Sequence, residues 1–207
     1  MYCENCGEKL AEGAKFCTSC GIALAHNTAN ALTKAEYFSI SNARLMLFSV
    51  LTFNLYQIYW SYRNWDAVRK AEQSNIQPFW RGIFTVFFCY DLFKKILQSA
   101  KRNGYNGSYS PGWMAALFIL FLVGGNALGR MEPDEFGDPM TYLFWTFVLC
   151  VLTVLPLFPV QNAINYQNEK VGSSQVKTTT FTGGEVALII VGIIITSLVV
   201  LGTLASY

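Results

Sequence analysis

Three long segments without a charged side chain constrain the fold of this chain more than any other feature. These uncharged segments are 103–129, 139–168 and 186–207. A helix needs about 20 apolar residues to cross a bilayer, and only 14% of the 207 residues are charged, against about 25% in a soluble domain. We therefore predict three transmembrane helices, which would cover residues 112–129, 140–160 and 186–204.

The connecting loops predict the orientation of these helices. Residues 130–138 contain four acids and one arginine, whereas residues 161–185 contain Lys170 and Lys177. Lysine and arginine favour the cytoplasmic side of a membrane. We therefore expect the N-terminus in the cytoplasm and the C-terminus outside. The expected location is a bacterial inner membrane, where the helices would contact lipid.

Two Cys-x-x-Cys pairs lie within the first twenty residues, and each pair is followed by a glycine. Zinc prefers four thiolates in a tetrahedron, and each pair can present two sulfurs to one metal ion. A disulfide framework is less favoured because no apolar signal segment opens the sequence. A redox Cys-x-x-Cys would normally occur only once. We predict one structural Zn²⁺ ion with the ligands Cys3, Cys6, Cys17 and Cys20.

This cysteine pattern resembles the short N-terminal zinc ribbons of many bacterial membrane and regulatory proteins. The resemblance covers residues 1–24 and implies a metal site, with no particular activity. Two lysines and three glutamates give this segment a charge of −1 before the thiolates are counted, which disfavours binding to phosphate backbones. We expect a protein partner and no nucleic acid. A zinc-stabilised cap without a partner is the alternative.

Two further apolar runs, 45–62 and 82–97, lie on either side of a basic connection. If both runs crossed the membrane, that connection would lie outside, against the positive-inside rule. We therefore favour re-entrant or interfacial segments, with two additional spans as the alternative. The expected fold class is a small zinc ribbon joined to an all-α helical integral membrane domain. Its parts are the ribbon at 1–24, a linker at 25–39 and the membrane domain at 40–207.

The stretch LTFNLYQIYWSYRNW, which begins at Leu51, is distinctive. It resembles the signature of a bacterial membrane-domain family of unknown function, a Thr-x-Gly-(Ile/Leu)-Tyr-x-(Ile/Leu)-Tyr-Trp run. Asn54 stands where that family has glycine, and asparagine tolerates left-handed backbone. Thr52-Phe53-Asn54 is therefore predicted to break the apolar run. The resemblance implies a membrane fold without a known activity, and it rests on Thr52, Leu55, Tyr56, Ile58, Tyr59 and Trp60.

One acid and three amides are candidates for a polar site in the membrane domain. Asp91 is the only acid within the apolar runs, and such acids are often functional. An ordinary ion pair with Lys94 or Lys95, one helical turn away, is the alternative. The amides share one helical face beyond two prolines, a pattern that occurs at transport sites and also at simple helix ends. These amides are Gln161, Asn165 and Asn168.

The motifs of common enzymes are missing from the sequence. It contains no HExxH and no GxSxG, and it has a single histidine, so we do not expect catalysis. The leading hypothesis is a membrane-embedded adaptor or regulatory protein whose cytoplasmic ribbon mediates a protein interaction. The alternative is a protein that transports or handles a small solute, an ion or a lipid. Homo-oligomerisation is left open by the sequence.

Overall fold

The fold of the described residues is helical. A computed structural model of the chain describes residues 2, 6–9, 17–20, 32–131, 138–172 and 183–205. Within this part of the chain there is no strand, and an isolated antiparallel bridge joins Tyr2 to Lys9. The helices are α1 (Asn42–Leu51), α2 (Leu55–Glu72), α3 (Pro78–Ile83), α4 (Thr85–Arg102), α5 (Pro111–Leu128), α6 (Pro139–Val154), α7 (Leu157–Val171) and α8 (Gly183–Ala205).

Among the residues that the structure describes, two helical stretches are long and apolar enough to cross a membrane. They are α5 and the run Met140–Val171, which joins α6 to α7. The 18 residues of α5 rise about 27 Å, close to the roughly 30 Å of a hydrocarbon core. Only 11% of the residues in α5 are buried by the protein. A core helix of a soluble protein would be mostly covered, so the exposed apolar surface of α5 suits a lipid environment.

Two of the three predicted transmembrane helices correspond to these two candidates. The third predicted span, 186–204, lies within the 23 residues of α8, and Ile189–Thr203 is a shorter apolar helix among the described residues there. The third transmembrane helix therefore stays a prediction. The helix α1 is another short apolar helix.

The first apolar run breaks where the sequence predicts a break. Between α1 and α2, Phe53 has a φ of 45° and Asn54 a φ of 66°, so Asn54 adopts the left-handed conformation expected of it. Thr52 stabilises the turn, because its hydroxyl donates to the carbonyl of Phe48 at 2.7 Å and accepts from the amide of Tyr56 at 3.0 Å. Whether this turn is re-entrant in a bilayer stays a prediction.

The core of the described residues lies among α2, α4 and α7 and includes residues 32–40, which we call the strap. Three residues of the strap are buried in the core, namely Leu32, Ala35 and Tyr37. Residues 35–40 of the strap form neither helix nor strand. The sequence predicts a linker at 25–39. Residues 25–31 lie outside the described residues, but 32–39 are packed against the helices and are part of the helical body.

Gly192 allows α8 to approach the turn between α1 and α2. A Cβ atom at Gly192 would lie 2.6 Å from Cγ2 of Thr52 and 2.8 Å from the carbonyl oxygen of Leu51. The hydroxyl of Thr196 donates to the same carbonyl at 3.0 Å. Because glycine lacks a Cβ atom, Gly192 permits this close contact between α8 and the turn. At Gly202, a Cβ atom would meet nothing within 4 Å.

We expect Gly192→Ala to lower the free energy of unfolding by about 1–3 kcal/mol, because the added methyl group forces α8 away from backbone atoms. Thermal unfolding in detergent measures this change. Gly202→Ala is the matched control, and it should be neutral or stabilise by up to about 1 kcal/mol, as alanine does in a helix. Equal effects of the two substitutions would contradict the close approach at Gly192.

Candidate metal centre and amide clamp

Three cysteines of the N-terminal segment converge on one point. The Sγ atoms of Cys6, Cys17 and Cys20 lie within 4.8 Å of one another, and those of Cys6 and Cys17 are 3.5 Å apart. Thiolates about 2.3 Å from a tetrahedral zinc ion are roughly 3.8 Å from each other, so the spacing fits zinc. Cys17 is buried, whereas Cys6 and Cys20 are exposed. Cys3 lies outside the described residues and stays a prediction as the fourth ligand.

The backbone around the first cysteine pair supports this geometry. Gly7, which follows the second cysteine of this pair, has a φ of +73°, the left-handed conformation that glycine adopts without strain. The bridge between Tyr2 and Lys9 joins residues on both sides of this pair. A tight turn closed in this way directs thiolates to one metal ion, which would hold the small unit together.

Asn168 binds the main chain of the strap through both ends of its amide. Its Oδ1 accepts from the backbone N–H of Tyr37 at 3.0 Å, and its Nδ2 donates to the carbonyl of Tyr37 at 2.6 Å. Both residues are fully buried. Asn168 therefore satisfies two main-chain groups that would otherwise be buried without partners.

Gln161 and Asn165, on preceding turns of α7, also hydrogen-bond main-chain groups of the strap. The Nε2 of Gln161 donates to the carbonyl of Phe38 at 3.3 Å and to Oδ1 of Asn165 at 2.9 Å. The Oε1 of Gln161 accepts from Nε1 of Trp60 at 2.6 Å. Asn165 donates to the carbonyl of Ile40 at 3.0 Å. The three predicted amides therefore lie together, and they contact the strap of their own chain.

Three further amides take part in this network. Asn64 accepts from the N–H of Phe38 at 3.0 Å, and both Asn103 and Gln167 donate to the carbonyl of Thr33, at 2.8 and 2.7 Å. Because these groups hold main-chain atoms of the strap, we call the set the amide clamp. Its members are Asn64, Asn103, Gln161, Asn165, Gln167 and Asn168.

Asn64 and Asn103, which both hydrogen-bond the strap, are not among the polar residues predicted from the sequence. A signal for Asn64 was present, because it lies four residues after Trp60 and four before Val68 on the apolar face of α2. All three are buried. An amide on such a face must find hydrogen-bond partners inside the protein. Asn103 follows the last residue of α4, where no periodic pattern marks it.

Asp91 takes no part in the amide clamp. Its carboxylate is half-exposed and lies 3.8 Å from the guanidinium of Arg81, which also lies over the ring of Trp65 at 4.3 Å. The sequence also allows an ion pair between Asp91 and Lys94 or Lys95. Lys95 instead binds Glu72, at 2.5 Å. The acid and the amides, predicted as one polar site, are therefore placed in separate networks.

Comparison with known proteins bears on the ribbon alone. Residues 2–24 match the zinc-ribbon domain family, and this range contains all three converging thiols. No curated protein and no solved structure matches the chain. The predicted zinc ribbon is confirmed, while the resemblance of the stretch from Thr52 to Trp60 to a membrane-domain family stays a prediction.

Proposed function

We propose that the protein is a membrane-embedded adaptor or regulatory protein whose zinc ribbon faces the cytoplasm and binds a protein partner. One observation carries the proposal: a thiol cluster suited to zinc occurs in the same chain as helices whose apolar faces the protein leaves uncovered. The helices would hold the chain in the bilayer. A reduced cytoplasm would keep the thiols available for the metal.

The surface of the ribbon supports a protein partner. Tyr2 is 67% exposed, and tyrosine is enriched in protein interfaces because it combines a large apolar ring with a polar end. The acidic balance of the ribbon sequence, −1 before its thiolates are counted, disfavours nucleic acid. An exposed aromatic side chain on a rigid, metal-stabilised unit is suited to recognition of another protein.

The transport alternative drew its residue-level support from Gln161, Asn165 and Asn168. Their amide groups hydrogen-bond the strap and its neighbours, so these contacts favour the structural interpretation of the amides. A polar path for a solute would need amides that are free to exchange partners. We therefore place the adaptor hypothesis first and assign the clamp a structural role.

A cross-linked pull-down from native membranes tests the adaptor function. We expect wild type to capture a partner that the double variant Cys3→Ser/Cys6→Ser loses, because a ribbon with two thiolates cannot hold zinc tightly. Cys89→Ala is the control, since Cys89 is a buried thiol in α4 outside the cluster. Identical partner sets from all three proteins would contradict recruitment by the ribbon.

A further inference from the structure

One side of α4 faces away from the helical body. The side chains on its other side are buried in the core, and they are Thr85, Cys89, Leu92, Phe93, Ile96, Ser99 and Ala100. Opposite them lie the exposed residues Phe87, Tyr90, Lys94, Gln98 and Lys101. Because residues three and four positions apart are neighbours on a helix surface, these five form one continuous stripe, which we call the outer face of α4.

Aromatic side chains occupy the first half of the outer face and continue onto α3. Phe87 is 78% exposed and Tyr90 is 50% exposed. Trp80 stacks on Phe84 with ring centroids 6.0 Å apart and meets Phe79 edge to face at 5.4 Å. We call these five residues the aromatic patch, and each of them is at least 48% exposed. Single exposed rings are ordinary on a protein surface, whereas a contiguous apolar patch marks a site of interaction.

The second half of the outer face is basic. It carries Lys94 and Lys101, and Arg102 follows at the end of α4. All three cations are exposed, and none of them pairs with an acid among the described residues. Asp91 is the only acid in the sequence of α4, and its carboxylate lies 3.8 Å from Arg81. From position 87 to position 101, about 21 Å along the axis, the outer face therefore changes from aromatic to cationic.

The aromatic patch adjoins the first turn of α5, the helix suited to cross a membrane. A Cβ atom at Gly112 would lie 3.8 Å from Cε2 of Tyr90, and Trp113, the next residue of α5, is 63% exposed. Because α5 is about as long as a hydrocarbon core is thick, its first turn lies at the boundary between hydrocarbon and head groups when it spans. Tyrosine and tryptophan concentrate at this boundary. The patch therefore continues the surface that α5 offers to lipid.

The order of rings and cations suits the surface of a phospholipid bilayer. Lysine and arginine near that surface are attracted to anionic head groups, and their long side chains reach the phosphates while aromatic rings lie deeper. A soluble protein partner would need an apolar pocket for the patch and acids for the cations, and it would have to displace the lipid at the start of α5. An anionic bilayer supplies both parts, an apolar layer beneath a layer of phosphates.

We propose that the outer face of α4 binds the surface of an anionic phospholipid bilayer. The aromatic patch enters the layer of head groups, and Lys94, Lys101 and Arg102 bind the phosphates of lipids with a net negative charge. The helix α4 then lies along the membrane surface and does not cross it. This surface site is independent of the ribbon, but it rests on the membrane location proposed above.

A photo-cross-linker in place of Phe87 tests the contact with lipid. The full chain with p-benzoylphenylalanine at position 87 is irradiated in vesicles of phosphatidylcholine that contain phosphatidylglycerol as the minor lipid, and the adducts are identified by mass spectrometry. We expect lipid adducts in which phosphatidylglycerol exceeds its share of the vesicle about fivefold, the factor that one cation near an anionic surface contributes. The same cross-linker at Lys70, an exposed position on α2, should give no lipid adduct. Position 84 replaces position 87 if the first variant does not fold.

Removing the three cations tests the choice of lipid. The variant Lys94→Gln/Lys101→Gln/Arg102→Gln, with the cross-linker at position 87, should capture phosphatidylglycerol only in proportion to its share. Arg69→Gln/Lys70→Gln is the matched control, since it removes two cations that pair with Asp66 on α2, and it should keep the fivefold preference. Equal loss of preference in both variants would assign the effect to the total charge of the chain and overturn the role of the outer face.

The outcomes separate this surface from the proposed function. The same irradiation is carried out in native membranes. Adducts with a second copy of the chain or with another protein in place of lipid, or no adduct from position 87 or 84, would overturn the surface site and leave the adaptor function intact. Alkaline extraction of wild-type membranes is performed first. Release of the protein into the soluble fraction would overturn the membrane location and the surface site together.

Discussion

Replacing Cys17 with serine is expected to abolish zinc binding by the ribbon. Cys17 is 1% exposed, and its thiol lies within 4.8 Å of the thiols of Cys6 and Cys20. The thiolate is the metal ligand, and the hydroxyl of serine does not ionise near neutral pH. Structural zinc sites contribute roughly 10–16 kcal/mol of binding free energy, so losing one of the thiolates should lower zinc affinity at least about a hundredfold.

Zinc content per chain, measured by atomic emission after exposure to a mild chelator, gives the readout for Cys17→Ser. Wild type should retain close to one ion, whereas Cys17→Ser should retain almost none. Cys89→Ala is the matched control and should retain zinc as wild type does. Burial raises the pKa of the Cys89 thiol to about 11, so that side chain stays protonated and does not compete for metal. Retention of zinc by Cys17→Ser would exclude Cys17 as a ligand.

Replacing Asn168 with alanine is expected to cause the largest loss of stability in the helical part. The substitution leaves the buried N–H and carbonyl of Tyr37 without hydrogen-bond partners. Each unsatisfied buried group costs about 1–3 kcal/mol, so the loss of both partners should lower the free energy of unfolding by about 2–6 kcal/mol. The loss of stability comes from the unpaired main-chain groups of Tyr37. It does not come from helix propensity, since alanine is well tolerated in a helix.

Chemical denaturation in detergent measures this loss, and Asn162→Ala provides the control. Asn162 lies on the same helix but is exposed, and its bond of 2.9 Å to Asn42 is exposed as well. Its replacement should change the free energy of unfolding by less than about 0.5 kcal/mol. Limited proteolysis should also cut the strap faster in Asn168→Ala alone. Equal stability of the two variants would mean that the strap does not depend on the amide clamp.

Local chemistry was predictable from the sequence. The spacing of the cysteines predicted the zinc ribbon, in which the thiols of Cys6, Cys17 and Cys20 lie close together. Asn54, in place of glycine, predicted the left-handed turn that separates α1 from α2. In each case, a short segment contains all the atoms that determine the conformation, so a local pattern is sufficient.

Long-range partners were not predictable in the same way. The spacing of Gln161, Asn165 and Asn168 showed that they share one face of α7. No local pattern indicates that this face contacts the strap, more than 120 residues earlier in the sequence. Which apolar helices cross a bilayer was not predictable from composition in the same way. An uncharged run such as 186–204 predicts a helix, and α8 forms there, but the run does not indicate how much of the helix other parts of the protein cover.

The amide clamp also determines the order in which parts of the chain can fold during synthesis. Asn168 follows Tyr37 by 131 positions, and at about 5–20 residues per second of synthesis roughly 7–26 s separate their appearance. The ribbon needs only residues near the N-terminus to gather its thiols, so it can acquire metal while the strap still waits for α7. Docking of the strap onto α7 is therefore among the last steps in the folding of each newly synthesised chain.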